Sequence, residues 1–165
     1  MPIGQLSIPS EQHHHQQLEP TTIPATPEQQ AFLESHRLVI VGIGRKVGPP
    51  HMSPVYYVMD GADILMSTTA SRFKARAVRK NDDVSLCILS EELPFPYILI
   101  YGKAVVEEAG AAELMRKIGE KISGSPIPDA ALPAIQERAT KEGRVVLRVK
   151  PTEFFSTMPL APQKK

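Results

Sequence analysis

Runs of apolar, β-branched and aromatic residues between turn residues predict a chain built mainly from short strands. The predicted strands are Leu38–Gly44, His51–Val58, Ile64–Thr68, Val84–Leu89, Tyr97–Val106 and Arg144–Val149. A seventh strand is the expectation for Glu153–Ser156, because Pro151 interrupts the sixth. Within the fifth strand, Gly102 predicts a bend or a close approach of another chain segment.

Helical patterns separate some of these strands. Thr26 and Pro27 predict the start of a first helix, since a threonine N-cap before a first-turn proline is favourable. Further helices are predicted at Ser71–Asn81, Ala109–Ile122 and Ala130–Lys141. Because most strands follow one another through short turns, the pattern predicts a mainly β fold with helices (α+β): an antiparallel barrel of six to seven strands, with helices packed outside.

The distribution of residue types divides the chain into one domain and two ends. Residues 1–26 are rich in Gln, Pro and His and are predicted to form a flexible N-terminal tail. Three successive histidines, residues 13–15, are interpreted as part of a solvated stretch rather than a metal site. Residues 27–157 are predicted to fold as the single domain, and residues 158–165 to form a frayed C-terminus.

Composition narrows the classes of function. The net charge of +1 argues against a dedicated nucleic-acid binder, which usually carries a basic excess. With Cys87 as its one cysteine, the chain can form no internal disulfide and no cysteine-based zinc site. No apolar run approaches the roughly 18 residues of a membrane span, and the first residues do not resemble a secretory signal. We therefore expect a cytoplasmic protein with no metal site and no membrane span.

Pro54 stands inside the second predicted strand, where proline is unusual. Proline has no N–H to donate to a strand ladder, so one side of that strand is expected to be open there. An open side in mid-strand suits the flat ring of a ligand, and an edge strand or a bulge is the alternative explanation.

The segment between Ile64 and Asn81 contains no acidic residue. Three hydroxyl side chains precede a cluster of cations; they are Ser67, Thr68 and Thr69, followed by Arg72, Lys74, Arg76, Arg79 and Lys80. Hydroxyls, cations and the start of a helix all favour a bound anion such as phosphate. A solvated basic helix face explains the same residues equally well, and nucleic-acid binding is a third, weaker alternative.

Three stretches together resemble the flavin-binding split-barrel family related to pyridoxamine 5′-phosphate oxidase. They are residues 51–58 with the turn at Asp60–Gly61, residues 65–76, and residues 81–87. Within that family, the chain is most similar to the branch that uses the deazaflavin coenzyme F-420. The C-terminal Arg/His motif with which true pyridoxamine phosphate oxidases bind their substrate is not visible in this sequence. Pyridoxamine phosphate is therefore not expected as the substrate.

The resemblance implies a homodimer with two cofactors at the subunit interface. It implies that the cofactor ring lies along Ser53, Pro54, Val55 and Tyr56. It also implies that the phosphate is held by Ser67, Thr68, Thr69 and Lys74, with Arg72 as a helper. The domain over residues 27–157 would then be a split-barrel cofactor-binding domain.

The expected function is that of an oxidoreductase transferring a hydride between F-420 and a small organic molecule over the ring. FMN is the alternative cofactor, and a non-catalytic flavin- or haem-binding protein is the alternative function. A catalytic side chain is not identifiable. Tyr56 or Tyr57 could donate a proton, but such tyrosines more often serve the core. His51 would be the candidate axial ligand of a haem.

Overall fold

The computed structural model describes residues 22–158, and its centre is a closed barrel of six antiparallel strands. The strands are β1 (Leu38–Ile43), β2 (His51–Asp60), β3 (Asp63–Thr69), β4 (Asp83–Leu89), β5 (Tyr97–Glu107) and β6 (Arg144–Ser156). Around the barrel their order is β1-β2-β3-β6-β5-β4. The predicted antiparallel barrel with outer helices is therefore confirmed.

Strand β6 runs through Pro151 as one element, where the sequence predicted an interruption. The ladder between β5 and β6 shifts its register between Tyr101 and Gly102. Tyr101 pairs with Glu153 and Gly102 with Pro151, so Thr152 is an extra residue in β6. This bulge keeps both halves of β6 paired with β5, which is why no separate seventh strand forms among the described residues.

Within residues 22–158, four α-helices pack outside the barrel. They are α1 (Pro27–Ser35), α2 (Phe73–Val78), α3 (Ala111–Ser123) and α4 (Leu132–Lys141), with a 3-10 turn at Asp129–Ala131. Helix α1 begins with a capping box in which Thr26 and Gln29 bond reciprocally to each other's backbone N–H. None of these helices is long and apolar enough to cross a membrane.

The segment before α1 contacts the barrel at its described end. The Ile23 N–H donates to the Pro151 carbonyl at 2.9 Å, and Ala25 packs against the core. Residues 1–21, with the three histidines, and residues 159–165 lie outside the described part of the chain.

Two apolar clusters stabilise the fold on opposite sides of the strands. Alternate strand residues fill the barrel interior, as strand geometry dictates; examples are Leu86, Ile88, Ile98 and Ile100, all 0% exposed. A second cluster lies between the outer faces of β2, β3 and β6 and helices α3 and α4, and it consists of Val58, Leu65, Ala111, Leu114, Ala139 and Val146. This second cluster holds α3 against the strands that carry the predicted cofactor residues.

Helices α1 and α3 are joined through one backbone carbonyl. The buried hydroxyl of Tyr57 donates to the Leu33 carbonyl at 2.6 Å. The Lys121 ammonium donates to the same oxygen at 3.3 Å and lies 4.1 Å from the centroid of the Tyr57 ring. Burial lowers the pKa of Lys121 from 10.5 to about 8, although nearby Glu34 opposes that change.

Replacement of Gly102 by alanine should destabilise the protein. A Cβ there would lie 2.6 Å from the Lys150 carbonyl oxygen and 2.9 Å from the Val149 Cγ1, so the β5–β6 ladder must move. We expect Gly102→Ala to lower the free energy of unfolding by about 1–3 kcal/mol in urea titrations. Gly44→Ala is the control, because its nearest neighbour is a side-chain nitrogen at an ordinary 3.9 Å. Equal stability of the two variants would contradict this prediction.

Replacement of Lys121 by methionine should remove a pH dependence of stability. Because the folded-state pKa is depressed to about 8, the unfolded chain binds more protons than the folded chain between about pH 8 and pH 10.5. The stability contributed by Lys121 therefore rises with pH across that window. We expect urea titrations to show the wild type gaining stability relative to Lys121→Met from pH 7.5 to pH 10. Lys117→Met, an exposed change on the same helix, should show a constant difference.

Candidate functional site

Strands β2 and β3 pair along only part of their lengths. Their ladder begins at Tyr57 and Met66 and continues to the turn that joins the two strands. Beyond Tyr57, β2 pairs with β1, where Pro54 lies opposite Ile40, and β3 pairs with β6, where Ser67 lies opposite Val146. The two strands therefore separate there, and the side of β2 that faces β3 is open at Pro54, as predicted.

A cavity of about 410 Å³ lies at this split. Seven of the nine predicted cofactor residues line it: Pro54, Val55, Tyr56, Ser67, Thr68, Arg72 and Lys74. The other two lie beside it: Ser53 accepts a hydrogen bond from Lys74, and Thr69 follows Thr68 on β3 and lies opposite Arg144, which also lines the cavity. The structure thus brings together residues from two strands and from the segment that follows β3.

Two hydroxyl groups at the cavity are buried without a hydrogen-bond partner among the described residues. They are the Ser67 Oγ and the Thr68 Oγ1, and Thr68 as a whole is 2% exposed. A buried polar atom without a partner costs about 1–3 kcal/mol. Hydroxyls can donate to anionic oxygens, so a bound anion would relieve this cost.

Lys74 and Arg72 add positive charge at the same place. The Lys74 Nζ donates to the Ser53 Oγ at 2.9 Å, and none of the ion pairs within residues 22–158 includes Lys74 or Arg72. Burial, and secondarily repulsion from Arg72, lowers the pKa of Lys74. Two neighbouring cations without a carboxylate partner favour the binding of an anion.

Helix α2 is shorter than its sequence predicted. It covers six residues, beginning at Phe73 rather than Ser71, and its N-cap Arg72 makes no side-chain capping bond. Neither Thr69 nor Ser71 caps this short helix, so the preference for an anion rests on the hydroxyl and cationic side chains and not on the start of a helix. Farther along, Arg76 is exposed, and Arg79 turns away to pair with Glu108 at 2.7 Å.

The cavity has two groups of lining residues that were not predicted. Helix α3 contributes an apolar wall of Met115, Ile118 and Ile122. Their helical spacing was visible in the sequence, but it indicates a core face equally well. Arg138 of α4 and Arg144 of β6 add two more cations. Nothing in their local sequence marks them, because only the β3–β6 register brings Arg144 opposite Thr69.

The two tyrosines considered as proton donors occupy different environments. Tyr57 is 0% exposed, and desolvation by burial raises its pKa further above its usual value, so it serves the core. Tyr56 lines the cavity and is 45% exposed. Neither His36 nor His51 lines the cavity. Among the described residues, no group of three His, Cys, Asp or Glu side chains could hold a metal ion.

The site therefore has one cationic part with hydroxyls that lack hydrogen-bond partners and one apolar part. The cationic part fits a phosphate group, and the apolar part, between the Pro54–Tyr56 segment and α3, fits an aromatic ring system. This donor set is consistent with a phosphorylated flavin or deazaflavin.

Comparison with solved structures supports the fold. A conserved hypothetical protein from Mycobacterium tuberculosis is similar at a TM-score of 0.72 and 19% identity, over 87% of this chain and 94% of that protein. A structure described as an F-420 reductase has a TM-score of 0.62 and 21% identity, over 76% and 94%. A haem storage protein from Vibrio cholerae has a TM-score of 0.59 and 15% identity, over 81% and 94%. At these identities the likeness concerns the fold alone.

Comparison with curated protein sequences gave no match. A family model described as pyridoxamine 5′-phosphate oxidase matches residues 25–158, which is nearly the whole described part of the chain. That match includes the barrel, the split between β2 and β3 and every residue that lines the cavity. The chain belongs to the pyridoxamine 5′-phosphate oxidase family.

Proposed function

We propose that this protein binds the deazaflavin F-420 in the split between β2 and β3 and transfers hydride between it and a small organic substrate. FMN is the alternative cofactor for the same site. The observation that carries the proposal is the pair of buried, unpartnered hydroxyls of Ser67 and Thr68 beside Lys74 and Arg72, whose charges no carboxylate of the described chain balances.

In this proposal, the chain's own residues bind and orient the cofactor. Ser67, Thr68, Lys74 and Arg72 hold the phosphate, with Ser53 keeping the Lys74 ammonium in place. Pro54, Val55 and Tyr56 support one face of the ring along the open side of β2. The cofactor supplies hydride acceptance and donation when bound.

The protein's contribution to rate would be orientation and exclusion of water. The residues that line the cavity include no Asp, Glu, His or Cys side chain in the described part of the chain. Met115, Ile118 and Ile122 form an apolar wall that can limit access of water to the ring. Holding two reactants in a reactive geometry can itself supply a large part of a rate enhancement.

The preference for F-420 over FMN follows from charge. F-420 carries a phosphodiester and a glutamate tail and so extends its negative charge beyond the phosphate. The cavity carries four cations, Arg72, Lys74, Arg138 and Arg144, which suit an extended anion. The F-420 reductase of similar fold is consistent with this choice.

Haem binding is a weaker alternative for this site. A haem storage protein shares the fold, but haem iron usually needs an axial ligand such as histidine. The His51 ring stands 4.8 Å from that of Phe73, and the His36 Nδ1 lies 2.8 Å from the Phe32 carbonyl oxygen. Both side chains are thus engaged away from the cavity.

We further propose that a second copy of this chain covers an apolar outer face of the barrel. Cross-strand register aligns one row of outward side chains on five strands: Pro54, Ile40, Cys87, Leu99 and Phe155. Exposed neighbours extend this face, among them Met52 (58% exposed) and Leu89 (50%). An apolar face of this extent is uncommon on a monomer. Because the row begins at Pro54, a subunit seated on it would also shield the cavity.

Binding of the cofactor tests the proposed function directly. Wild-type protein, titrated with F-420 and with FMN and followed by fluorescence, should bind at least one of them, with F-420 bound more tightly. The reduced cofactor should then be oxidised by an electron acceptor only when the protein is present. Tighter binding of FMN would reverse the cofactor preference, and binding of neither would refute the proposal.

Removal of the Lys74 charge should weaken binding of either cofactor. A hydrogen bond to a charged group contributes about 1.5–3 kcal/mol, so Lys74→Gln should raise the dissociation constant by about tenfold or more. Lys80→Gln removes the same charge from an exposed position outside the cavity and should change affinity by less than about twofold at moderate salt. Equal effects of the two variants would show that Lys74 acts only through the overall electrostatic field of the protein and not through a direct contact with the cofactor.

A charge on the apolar row should separate the subunits. Phe155 is 54% exposed in the single chain, so Phe155→Glu should leave the fold intact while burying a charge in the proposed interface. Sedimentation analysis should show a dimer for the wild type and a monomer for the variant, with weaker cofactor binding in the monomer. Val105→Glu, at an exposed position six residues beyond Leu99 on β5, should remain a dimer. A monomeric wild type would refute this part of the proposal.

A further inference from the structure

Arg138 and Arg144 reach the cavity from different elements and are linked by one carboxylate. Glu142 accepts from the Arg138 Nε at 2.7 Å with one oxygen and from the Arg144 Nε and Nη2 at 2.6 Å with the other. A guanidinium has five N–H donors. These bonds use one donor of Arg138 and two of Arg144, so both arginines retain donors for an anion in the cavity.

The position of this arginine pair relative to the phosphate residues follows from strand register. The split opens at Tyr57 and Met66, and β3 continues from there through Ser67 and Thr68 to Thr69. Arg144 lies opposite Thr69, at the last residue of β3. We call the end of the split at Tyr57 and Met66 its narrow end, and the end at Thr69 its open end. The arginine pair therefore lies at the open end, beyond the unpartnered hydroxyls of Ser67 and Thr68.

A charge count shows that one phosphate does not neutralise this end of the cavity. Arg72, Lys74, Arg138 and Arg144 with the single carboxylate of Glu142 leave a net charge of three positive. A phosphate monoester brings about −1.5 to −2 at neutral pH. At least one positive charge is therefore left over in this group of residues.

We propose that Arg138 and Arg144 form a second anion subsite, which binds an acidic group attached to the cofactor on the side of its phosphate that is remote from the ring. Glu142 is a positioning residue that holds both guanidinium groups at the cavity. The inference rests on the proposed cofactor-binding function of the same cavity. Residues of α4 and β6 then select a cofactor with an acidic tail. Two arginines of the Ser67–Lys80 region do not take part, because Arg76 is exposed and Arg79 pairs with Glu108.

The role of Glu142 follows from the same contacts. Hydrogen bonds from Arg138 and, secondarily, Arg144 lower the pKa of Glu142, which therefore remains ionised at neutral pH. An ionised Glu142 keeps the Arg144 side chain, which is 19% exposed, in one orientation beside the cavity. Without that carboxylate, both guanidinium groups would be free to turn toward solvent.

The test uses two probes that differ only in the tail: F-420 with its glutamates, and F-420 from which the glutamates have been removed. Dissociation constants are measured by fluorescence for the wild type, Arg138→Gln and Glu142→Gln. Lys141→Gln is the matched control, since Lys141 is an exposed cation of the same helix that does not line the cavity. FMN serves as a third ligand, with a phosphate and no tail.

We expect Arg138→Gln to weaken binding of tailed F-420 about fivefold, as suits a partly exposed charge pair. Its effect on tail-free F-420 and on FMN should be less than twofold, and the difference should shrink at high salt. Glu142→Gln should show the same selectivity, whereas Lys141→Gln should leave all three affinities unchanged.

Three results would overturn the subsite: equal weakening of both F-420 forms by Arg138→Gln, weakening of neither, or tighter binding of the tailed form by Glu142→Gln. Tighter binding would mean that Glu142 competes with the ligand instead of positioning the arginines. If wild-type protein binds none of the three ligands, the proposed function itself fails. If it binds them and only the selectivity is missing, the proposed function stands and this inference alone is refuted.

Discussion

The partial pairing of β2 with β3 is the constraint on which the site depends. A barrel strand normally satisfies its backbone groups on both sides, but these two strands share a ladder only from Tyr57 and Met66 to their turn. Past that point, β1 and β6 each satisfy one side of the separated strands. Pro54 lies in the separated part and has no N–H to donate. The split therefore leaves one backbone donor fewer without a partner than any other residue at this position would.

Strand alternation then lets one pair of strands serve both stability and binding. At the narrow end, Tyr57 and Met66 face the barrel core, while Val58 and Leu65 face α3. Because α3 is held by that outer contact, its next turns extend over the split and place Ile118 and Ile122 at the cavity. The helix that packs on β2 and β3 at one end thus also forms the apolar wall of the cavity at the other end. Changes in the α3 contact should therefore affect both the stability of the fold and binding in the cavity.

The fold and much of the site could be predicted because they depend on local patterns. Strand runs, turns and Pro54 are properties of neighbouring residues, and so is the sequence of hydroxyls and cations from Ser67 to Lys74. Arg138 and Arg144 could not be predicted, since their place at the cavity depends on long-range register and on how α4 packs. The length of α2 was overestimated at both ends, because Arg72 is the N-cap and Arg79 is the C-cap, and Arg79 also pairs with Glu108. The roles of the nine predicted cofactor residues remain a proposal.

Strand β6 shows how differently the fold treats arginine at the two ends of the split. Near the narrow end, Arg148 is paired with three carboxylates, of Glu107 at 2.6 Å, Asp60 at 2.8 Å and Asp63 at 3.0 Å, so acid exceeds base there. Four residues earlier, Arg144 shares one carboxylate with Arg138 and lies at a cavity that also contains Arg72 and Lys74. The excess of cations at the open end, beside two unpartnered hydroxyls, is an uncompensated cost that a bound anion would remove, and through linkage the same anion would stabilise the fold.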